Sequence, residues 1–237
     1  APAWESLRPN AGCLAETPSP HSARYALDSA QRETLREVVA HAQELREPLT
    51  AAARAQHDLT RLNCTACHVR AGVGRPRPEV LASFSGNGDL GEEGRLPPSL
   101  DGVGAKLRRE ALEKVLARPG SARPYLHARM PRFASAQVSG LAAALDEADV
   151  RRGEDQIPEF AADLVEAGRR LGGAGGLNCA QCHPVAGTAS RGIQSMDLTL
   201  MAERLDPAWF RAWMENPLVM RAGTRMSALN MRGISQR

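Results

Sequence analysis

The pentapeptide C-x-x-C-H occurs twice in this chain, and it constrains the fold more than any other feature of the sequence. The first copy occupies residues 64–68 and the second occupies residues 179–183. The pattern is typical of covalent haem attachment, in which two cysteines bond to the porphyrin and the adjacent histidine binds the iron. Each copy follows the dipeptide Leu-Asn. We therefore expect two copies of one module, each carrying a covalently bound haem c.

The two motifs predict six cofactor-binding residues, Cys64, Cys67, His68, Cys179, Cys182 and His183. The two histidines are also predicted to bind iron. Two other uses of C-x-x-C compete with haem. A thioredoxin-like redox pair belongs to a βαβ context, and no β-branched strand run precedes either motif. A zinc site built from two C-x-x-C pairs would need neither histidine. The repetition of the whole pentapeptide favours haem.

The composition fits a chain that buries large cofactors. Its 237 residues include only four Phe, two Tyr and three Trp, and two haems would supply the missing apolar volume. The net charge is +3, from 30 Lys and Arg against 27 Asp and Glu, so we expect no nucleic-acid partner. No apolar run is long enough to span a membrane.

The cofactor also predicts a compartment. Covalent haem attachment takes place outside the bacterial cytoplasm, so we expect a periplasmic or otherwise exported chain whose signal peptide has been removed. Four of the five cysteines are assigned to haem. Cys13 is left over, and an inert buried thiol is its simplest interpretation.

Helical periodicity recurs along the chain and no segment alternates convincingly as a strand, so the sequence predicts an all-α fold. An extended N-terminal arm (1–27) is expected to precede a first domain (28–150) and a second domain (151–237). The charged stretch 146–154 is the expected linker. The first expected helix begins at residue 30 and ends before Pro48. The other expected helices cover residues 50–62, 108–116, 136–145, 159–171 and 207–216.

The second axial ligand decides what a haem can do, because methionine raises the reduction potential whereas an open site permits catalysis. In the first module we predict Met130 as this ligand, since the proline after it keeps the loop extended. His127, three residues earlier, is the rival.

In the second module the equivalent loop predicts Met226 as the ligand. Ser227 replaces the proline of the first loop. Met201 and Met220 are the main alternatives. Two other methionines are therefore alternatives to Met226, whereas His127 is the alternative to Met130.

The order of these features resembles class I cytochrome c in tandem. In that family a helix, C-x-x-C-H, a Pro-x-Leu-x-Gly segment, a helix and a methionine loop follow one another, and residues 98–102 match the segment. The resemblance implies that the Pro98 carbonyl accepts a hydrogen bond from the ring of His68. Counting back from Leu205 in parallel with Leu107 places Met196 at the position of Pro98, which leaves the partner of His183 open.

More narrowly, residues 94–98, 129–133 and 192–198 are similar to cytochrome modules of large multidomain exported bacterial proteins. The resemblance implies a dihaem c-type cytochrome that transfers electrons between redox protein partners through two His/Met haems. A dihaem peroxidase-like enzyme is the alternative, with an open second haem assisted by Glu203 or Glu215. A structural haem module of a larger complex is a third possibility.

The second module also lacks an obvious closing helix. A class I domain normally packs a C-terminal helix on its first helix, whereas only 11 residues follow Met226. We therefore expect this chain to associate with another chain or to belong to a longer polypeptide. The contact is expected near Phe160, Leu164 and Val165, which would otherwise remain uncovered.

Overall fold

The computed structural model describes residues 8–44, 47–118, 123–150 and 162–228. These residues form helices and turns, with isolated β-bridges and no strand, so the all-α prediction is confirmed for them. None of their helices has the length and apolar character needed to cross a bilayer. The chain divides into two compact units, Ala1–Leu49 and Thr50–Arg237, and both pentapeptides lie in the second. The division into two cytochrome domains near residue 150 stays a prediction.

The α-helices of the described residues are α1 Ser29–Ala40, α2 Ala51–Arg61, α3 Val103–Lys106, α4 Arg109–Ala117, α5 Ser135–Val138, α6 Leu141–Ala148, α7 Ala162–Gly172, α8 Met201–Arg204, α9 Pro207–Glu215 and α10 Pro217–Met220. Short 3-10 turns cover Gly12–Leu14, Cys64–Ala66, Pro78–Ser83, Gly88–Gly94, Cys179–Gln181 and Leu198–Leu200.

The first unit is organised around α1. Its N-cap is Asp28, whose carboxylate accepts a hydrogen bond from the backbone N–H of Gln31 at 2.8 Å, while the Gln31 side chain bonds back to the cap. This reciprocal pair satisfies two of the otherwise unpaired donors at the helix start. Two arginines of α1 donate to the carbonyls of Cys13 and Leu14, so this part of the predicted arm is tied to the helix.

Three predicted boundaries differ from the structure. The first helix, expected to continue until Pro48, ends at Ala40 with His41 as its C-cap. The helix expected over 136–145 is two helices, α5 and α6, with Gly140 as the N-cap of the second. Helix α6 then continues to Ala148, three residues into the stretch predicted as a linker. The charged residues of that stretch are therefore partly helical, and residues 151–154 lie outside the described part.

The core of the second unit lies mainly between α2 and α6. The buried apolar residues include Leu59, Leu112 and Leu141, which are at most 4% exposed. All three belong to residues 50–150, called the first half below. Residues 162–228 are called the second half, and only Leu205 from that half joins the buried cluster.

The first half contains a buried ion pair. The guanidinium of Arg70 donates to both carboxylate oxygens of Asp149, at 2.8 and 3.1 Å, and to the carbonyl of Leu100 at 2.7 Å. Asp149 also accepts the backbone N–H of Gly104 at 2.7 Å. A Cβ at Gly104 would lie 2.0 Å from the carbonyl oxygen of Leu145, so only glycine permits this approach of α3 to α6.

The two halves repeat each other, and a backbone bridge joins them. Helices α3 and α4 recur 98 positions later as α8 and α9, with the same lengths. Leu107 and Leu205 form an isolated antiparallel bridge. It is flanked by two reciprocal backbone bonds, each 2.9 Å long, from Arg108 N–H to the Arg204 carbonyl and from Asp206 N–H to the Lys106 carbonyl. This arrangement is a local pseudo-two-fold, and residues 106–108 with 204–206 are called the junction below.

The second half is more open than the first. No residue of α7 is buried, and Leu164 and Val165 are 54% and 51% exposed. The uncovered helix face expected at these two residues is therefore present. Phe160, the third residue expected there, lies outside the described residues.

Candidate cofactor sites

The two pentapeptides have the same backbone conformation. The asparagine before each motif, Asn63 or Asn178, is left-handed, with φ of 58° and 56°. A 3-10 turn follows over Cys64–Ala66 and over Cys179–Gln181. In each copy the backbone N–H of the histidine donates to the carbonyl of the first cysteine, at 2.9 Å and 3.0 Å. Asparagine tolerates this conformation better than most residues, which explains why it precedes both motifs.

The chain reverses in the same way after both histidines. Residues 70 and 73, and residues 185 and 188, each exchange a pair of backbone hydrogen bonds. The two residues between them have φ of 49° and 77° in the first copy and 49° and 78° in the second, as a type I′ turn requires. In both copies the two central residues of this turn are Ala-Gly, at Ala71-Gly72 and Ala186-Gly187. The repeat therefore extends past the motif that identified it.

His68 is held in the form that a metal ligand needs. Its Nδ1–H donates to the Pro98 carbonyl at 2.7 Å, which is the bond that the family resemblance implies. That bond leaves Nε2 without a proton and able to bind iron. Burial is the largest effect on the imidazole, and it lowers the pKa of His68, with the nearby Arg123 charge acting in the same direction. The neutral ring is therefore favoured at neutral pH.

The second histidine has an equivalent partner. The Nδ1–H of His183 donates to the Met196 carbonyl at 2.8 Å, and the Ser195 hydroxyl lies 2.9 Å from the same nitrogen. Met196 follows Pro98 by the 98 positions that relate the flanking helices. A backbone carbonyl accepts this bond, so the change of side chain from proline to methionine does not remove it.

The cysteines do not resemble a redox pair. Burial is the largest effect on Cys64 and on Cys179, and it raises the pKa of both thiols. Nucleophilic cysteines of redox motifs have lowered pKa values instead. All five cysteines are free thiols. Covalent attachment to a porphyrin needs both sulfurs of a motif, and none is used in a disulfide.

The described residues hold no cluster of three or more His, Cys, Asp or Glu side chains suited to a metal ion. A zinc site of the kind considered from the sequence would be such a cluster. A haem iron instead takes one histidine and one distal residue from the chain, because the porphyrin supplies the other four ligands. Each motif offers two thiols and one histidine, which is the set that haem c attachment uses.

In the first half Met130 is better placed than its rival. Met130 is half-buried and packs against the apolar core. His127 is exposed, and its Nδ1 lies 3.0 Å from the hydroxyl of Ser85 while its backbone N–H donates to the Ser85 carbonyl. The imidazole is thus engaged at the surface, whereas the thioether faces the interior.

In the second half the sulfur of Met226 is fixed by an indole. The Nε1–H of Trp213 donates to Met226 Sδ at 2.9 Å, and Trp213 stacks on Trp209 with ring centroids 5.1 Å apart. Trp213 was not among the site residues predicted from the sequence, although it shares α9 with Trp209. Of the alternatives, Met201 packs against the core, and Met220 ends α10.

The carboxylates considered for a peroxidase lie at the surface. The Glu203 side chain is 75% exposed and its carboxylate lies 3.5 Å from the Lys114 ammonium. Glu215, at the end of α9, is exposed. Acid–base catalysis requires a group within hydrogen-bond reach of the reacting atom, and neither residue has an enclosed position.

No protein-family model, curated protein or solved structure matches this chain.

Proposed function

We propose that this chain is an exported dihaem c-type cytochrome that carries electrons between redox protein partners. The observation that supports it most is the repeated geometry of the two pentapeptides. Each has a left-handed asparagine, a 3-10 turn through the cysteines and a histidine whose Nδ1–H is bound by a backbone carbonyl. A single C-x-x-C-H has competing interpretations, whereas two with the same supporting bonds favour one cofactor.

In this proposal Cys64, Cys67, Cys179 and Cys182 bond to the two porphyrins, and His68 and His183 bind the irons. Haem c supplies a one-electron iron couple, and methionine ligation favours its reduced state. The Pro98 and Met196 carbonyls orient the imidazoles and keep Nε2 unprotonated. Met130 and Met226 close the distal faces, so that the chain changes redox state without transforming a substrate.

The partners belong to the same proposal. An electron carrier must dock other redox proteins, and the exposed apolar residues Leu164 and Val165 provide one surface that another chain, or another part of a longer polypeptide, could cover. The second half would then gain the closure that it does not receive from the described residues.

The distal ligands are tested by near-infrared magnetic circular dichroism of the oxidised protein, which detects sulfur bound to ferric haem. We expect a band that accounts for two haems, and a band of half that intensity in Met130→Leu and in Met226→Leu. Met220→Leu is the matched control and should leave the band unchanged.

A full band in Met226→Leu with loss in Met201→Leu or Met220→Leu would move the second ligand to that residue. A band for one haem in the unmodified protein, with rapid turnover of peroxide, would favour the peroxidase-like enzyme.

A further inference from the structure

The junction is a backbone contact, and the two halves also meet through a long loop of the first half. The turns after the two histidines are related by 115 positions, whereas the carbonyls that accept the histidine bonds are related by 98. The first half therefore has 17 additional residues between its turn and its carbonyl. This additional length includes residues 85–94, which are called the connecting segment below.

The connecting segment is a closed turn that depends on two glycines. A Cβ at Gly86 would lie 2.0 Å from the carbonyl oxygen of Gly94, and a Cβ at Gly94 would lie 1.9 Å from that of Asn87. Side chains do not approach a backbone this closely, so the two ends of the segment can cross only as glycines. The Asn87 side chain also accepts the backbone N–H of Asp89 at 3.0 Å. The segment is therefore a compact turn whose two ends are fixed against each other.

One set of bonds anchors the connecting segment to the distal loop of the first half. Gly86 forms an isolated antiparallel bridge with Leu126. The Ser85 carbonyl accepts the backbone N–H of His127 at 3.1 Å, and the Ser85 hydroxyl lies 3.0 Å from His127 Nδ1. The segment is thus bound to the same loop that carries Met130.

A second set of contacts joins the connecting segment to the second half. The carboxylate of Glu93 accepts a hydrogen bond from Arg221 Nε at 2.8 Å. The two side chains are 25% and 39% exposed, so the pair is partly shielded from water. A Cβ at Gly91 would lie 3.6 Å from Nε of Arg225, which is an ordinary contact distance. Both arginines belong to the loop that leads to Met226.

Hydrogen bonds within this loop continue from Arg221 to Met226. The Arg221 N–H donates to the Pro217 carbonyl at 2.8 Å, and the Arg221 carbonyl accepts the N–H of Thr224 at 3.4 Å. Thr224 is buried, and its hydroxyl accepts the backbone N–H of Met226 at 3.4 Å. In the described part of the chain, Glu93 is the carboxylate that pairs with Arg221. The conformation of the loop is therefore linked to Glu93 at one end and to Met226 at the other.

The distal loop of the second half has less local restraint than that of the first. Proline follows Met130 and restricts the residue before it, whereas serine follows Met226. Helix α7 of the same half buries none of its residues. The pair between Glu93 and Arg221 supplies this loop with a restraint from the other half.

We propose that Glu93 of the first half is a positioning residue for Met226 of the second half, acting through Arg221. This inference rests on the proposed function. The pair stabilises the loop conformation that presents the thioether sulfur to the iron, so its loss makes the sulfur easier to replace by an added ligand. The first half thereby controls the access of small ligands to the second haem, and the two halves are not independent carriers.

The test measures how readily imidazole displaces methionine from the oxidised, haem-loaded protein. The background is Met130→Leu, in which the sulfur band of the near-infrared magnetic circular dichroism spectrum reports the second haem alone. The imidazole concentration that halves this band is recorded. Glu93→Ala should lower that concentration about threefold to tenfold, as expected for a partly exposed, charged hydrogen bond. The concentration falls because the loop conformation that holds the sulfur becomes less populated.

Glu92→Ala is the matched control. Its carboxylate is exposed and pairs with Arg95 within the first half, so its loss should leave the imidazole concentration unchanged. In the Met226→Leu background the band reports the first haem, and there Glu93→Ala should have no effect. Arg221→Ala should reproduce Glu93→Ala, and the double variant should need about the same imidazole concentration as either single variant, because both remove one interaction.

The inference is overturned if Glu93→Ala leaves the imidazole concentration unchanged, if Glu92→Ala lowers it equally, or if the effects of Glu93→Ala and Arg221→Ala add in the double variant. It also fails if the band of the Met130→Leu protein survives Met226→Leu. These results leave two covalent haems intact, whereas a chain that binds no haem would refute the proposed function itself.

Discussion

The two halves of the second unit share the C-x-x-C-H pentapeptide but differ in how they are packed. In the first half α2 and α6 enclose an apolar core, and the buried pair between Arg70 and Asp149 joins the motif to the end of α6. In the second half α7 buries none of its residues, and the position equivalent to Arg70 is Val185, which is 40% exposed. The local geometry of a pentapeptide is therefore independent of the helices that cover it.

The two halves are therefore expected to contribute unequally to the free energy of unfolding. A C-x-x-C-H turn is defined by backbone bonds within a few residues, so it forms identically in both halves. The free energy of unfolding depends on burial, which is concentrated in the first half. We expect core substitutions there to have large effects and equivalent substitutions in the second half to have small ones.

The largest effect is expected from Asp149→Ala. The substitution leaves the guanidinium of Arg70 buried without its anion and removes the acceptor for the Gly104 N–H, so the free energy of unfolding should fall by about 3–5 kcal/mol. Glu147→Ala, two residues earlier, breaks the exposed pair with Arg54 and should cost less than about 1 kcal/mol. Equal effects in urea unfolding would show that the Arg70 pair does not stabilise the first half.

A core substitution should have the next largest effect. Leu141 is 1% exposed, and Leu141→Ala should lower the free energy of unfolding by about 2–5 kcal/mol through lost burial and the cavity that remains. Leu164→Ala, on the exposed face of α7, should change it by less than about 0.5 kcal/mol in the isolated chain. A large loss of unfolding free energy in Leu164→Ala would mean that α7 is covered in solution. That result would contradict the difference in packing between the two halves.

The smallest effect should be the same in both halves. Asn63→Ala and Asn178→Ala each force alanine into a left-handed conformation, which costs about 1–2 kcal/mol. Asn63→Gly and Asn178→Gly are the matched controls, because glycine adopts this conformation without a steric penalty. A difference between the two alanine variants larger than their experimental error would break the equivalence of the two motifs.

Some of this structure could be predicted from the sequence. Helix α2 was expected over 50–62 and covers residues 51–61, and α9 begins at Pro207 as its fixed φ favours. Asp28 caps α1 and forms a capping box with Gln31, which lies three residues later. These features depend on neighbours within one or two turns, which periodicity and capping rules describe well.

The features that could not be predicted join distant residues. Arg70 and Asp149 are 79 positions apart, and a single ion pair leaves no periodic signal. The bridge between Leu107 and Leu205 consists of one residue from each half, so no strand pattern indicates it. The bond from Trp213 to Met226 likewise joins a helix to a loop 13 positions later, and no local pattern indicates that pairing.

The most direct test of the proposed function is the intact mass of the protein under denaturing conditions. Covalent attachment survives denaturation, so the mass should exceed that of the polypeptide by two haems. Cys179→Ala combined with Cys182→Ala should reduce the excess to one haem, and the same changes at Cys64 and Cys67 should do so for the other. A mass equal to that of the bare polypeptide, or zinc in place of haem, would contradict the account.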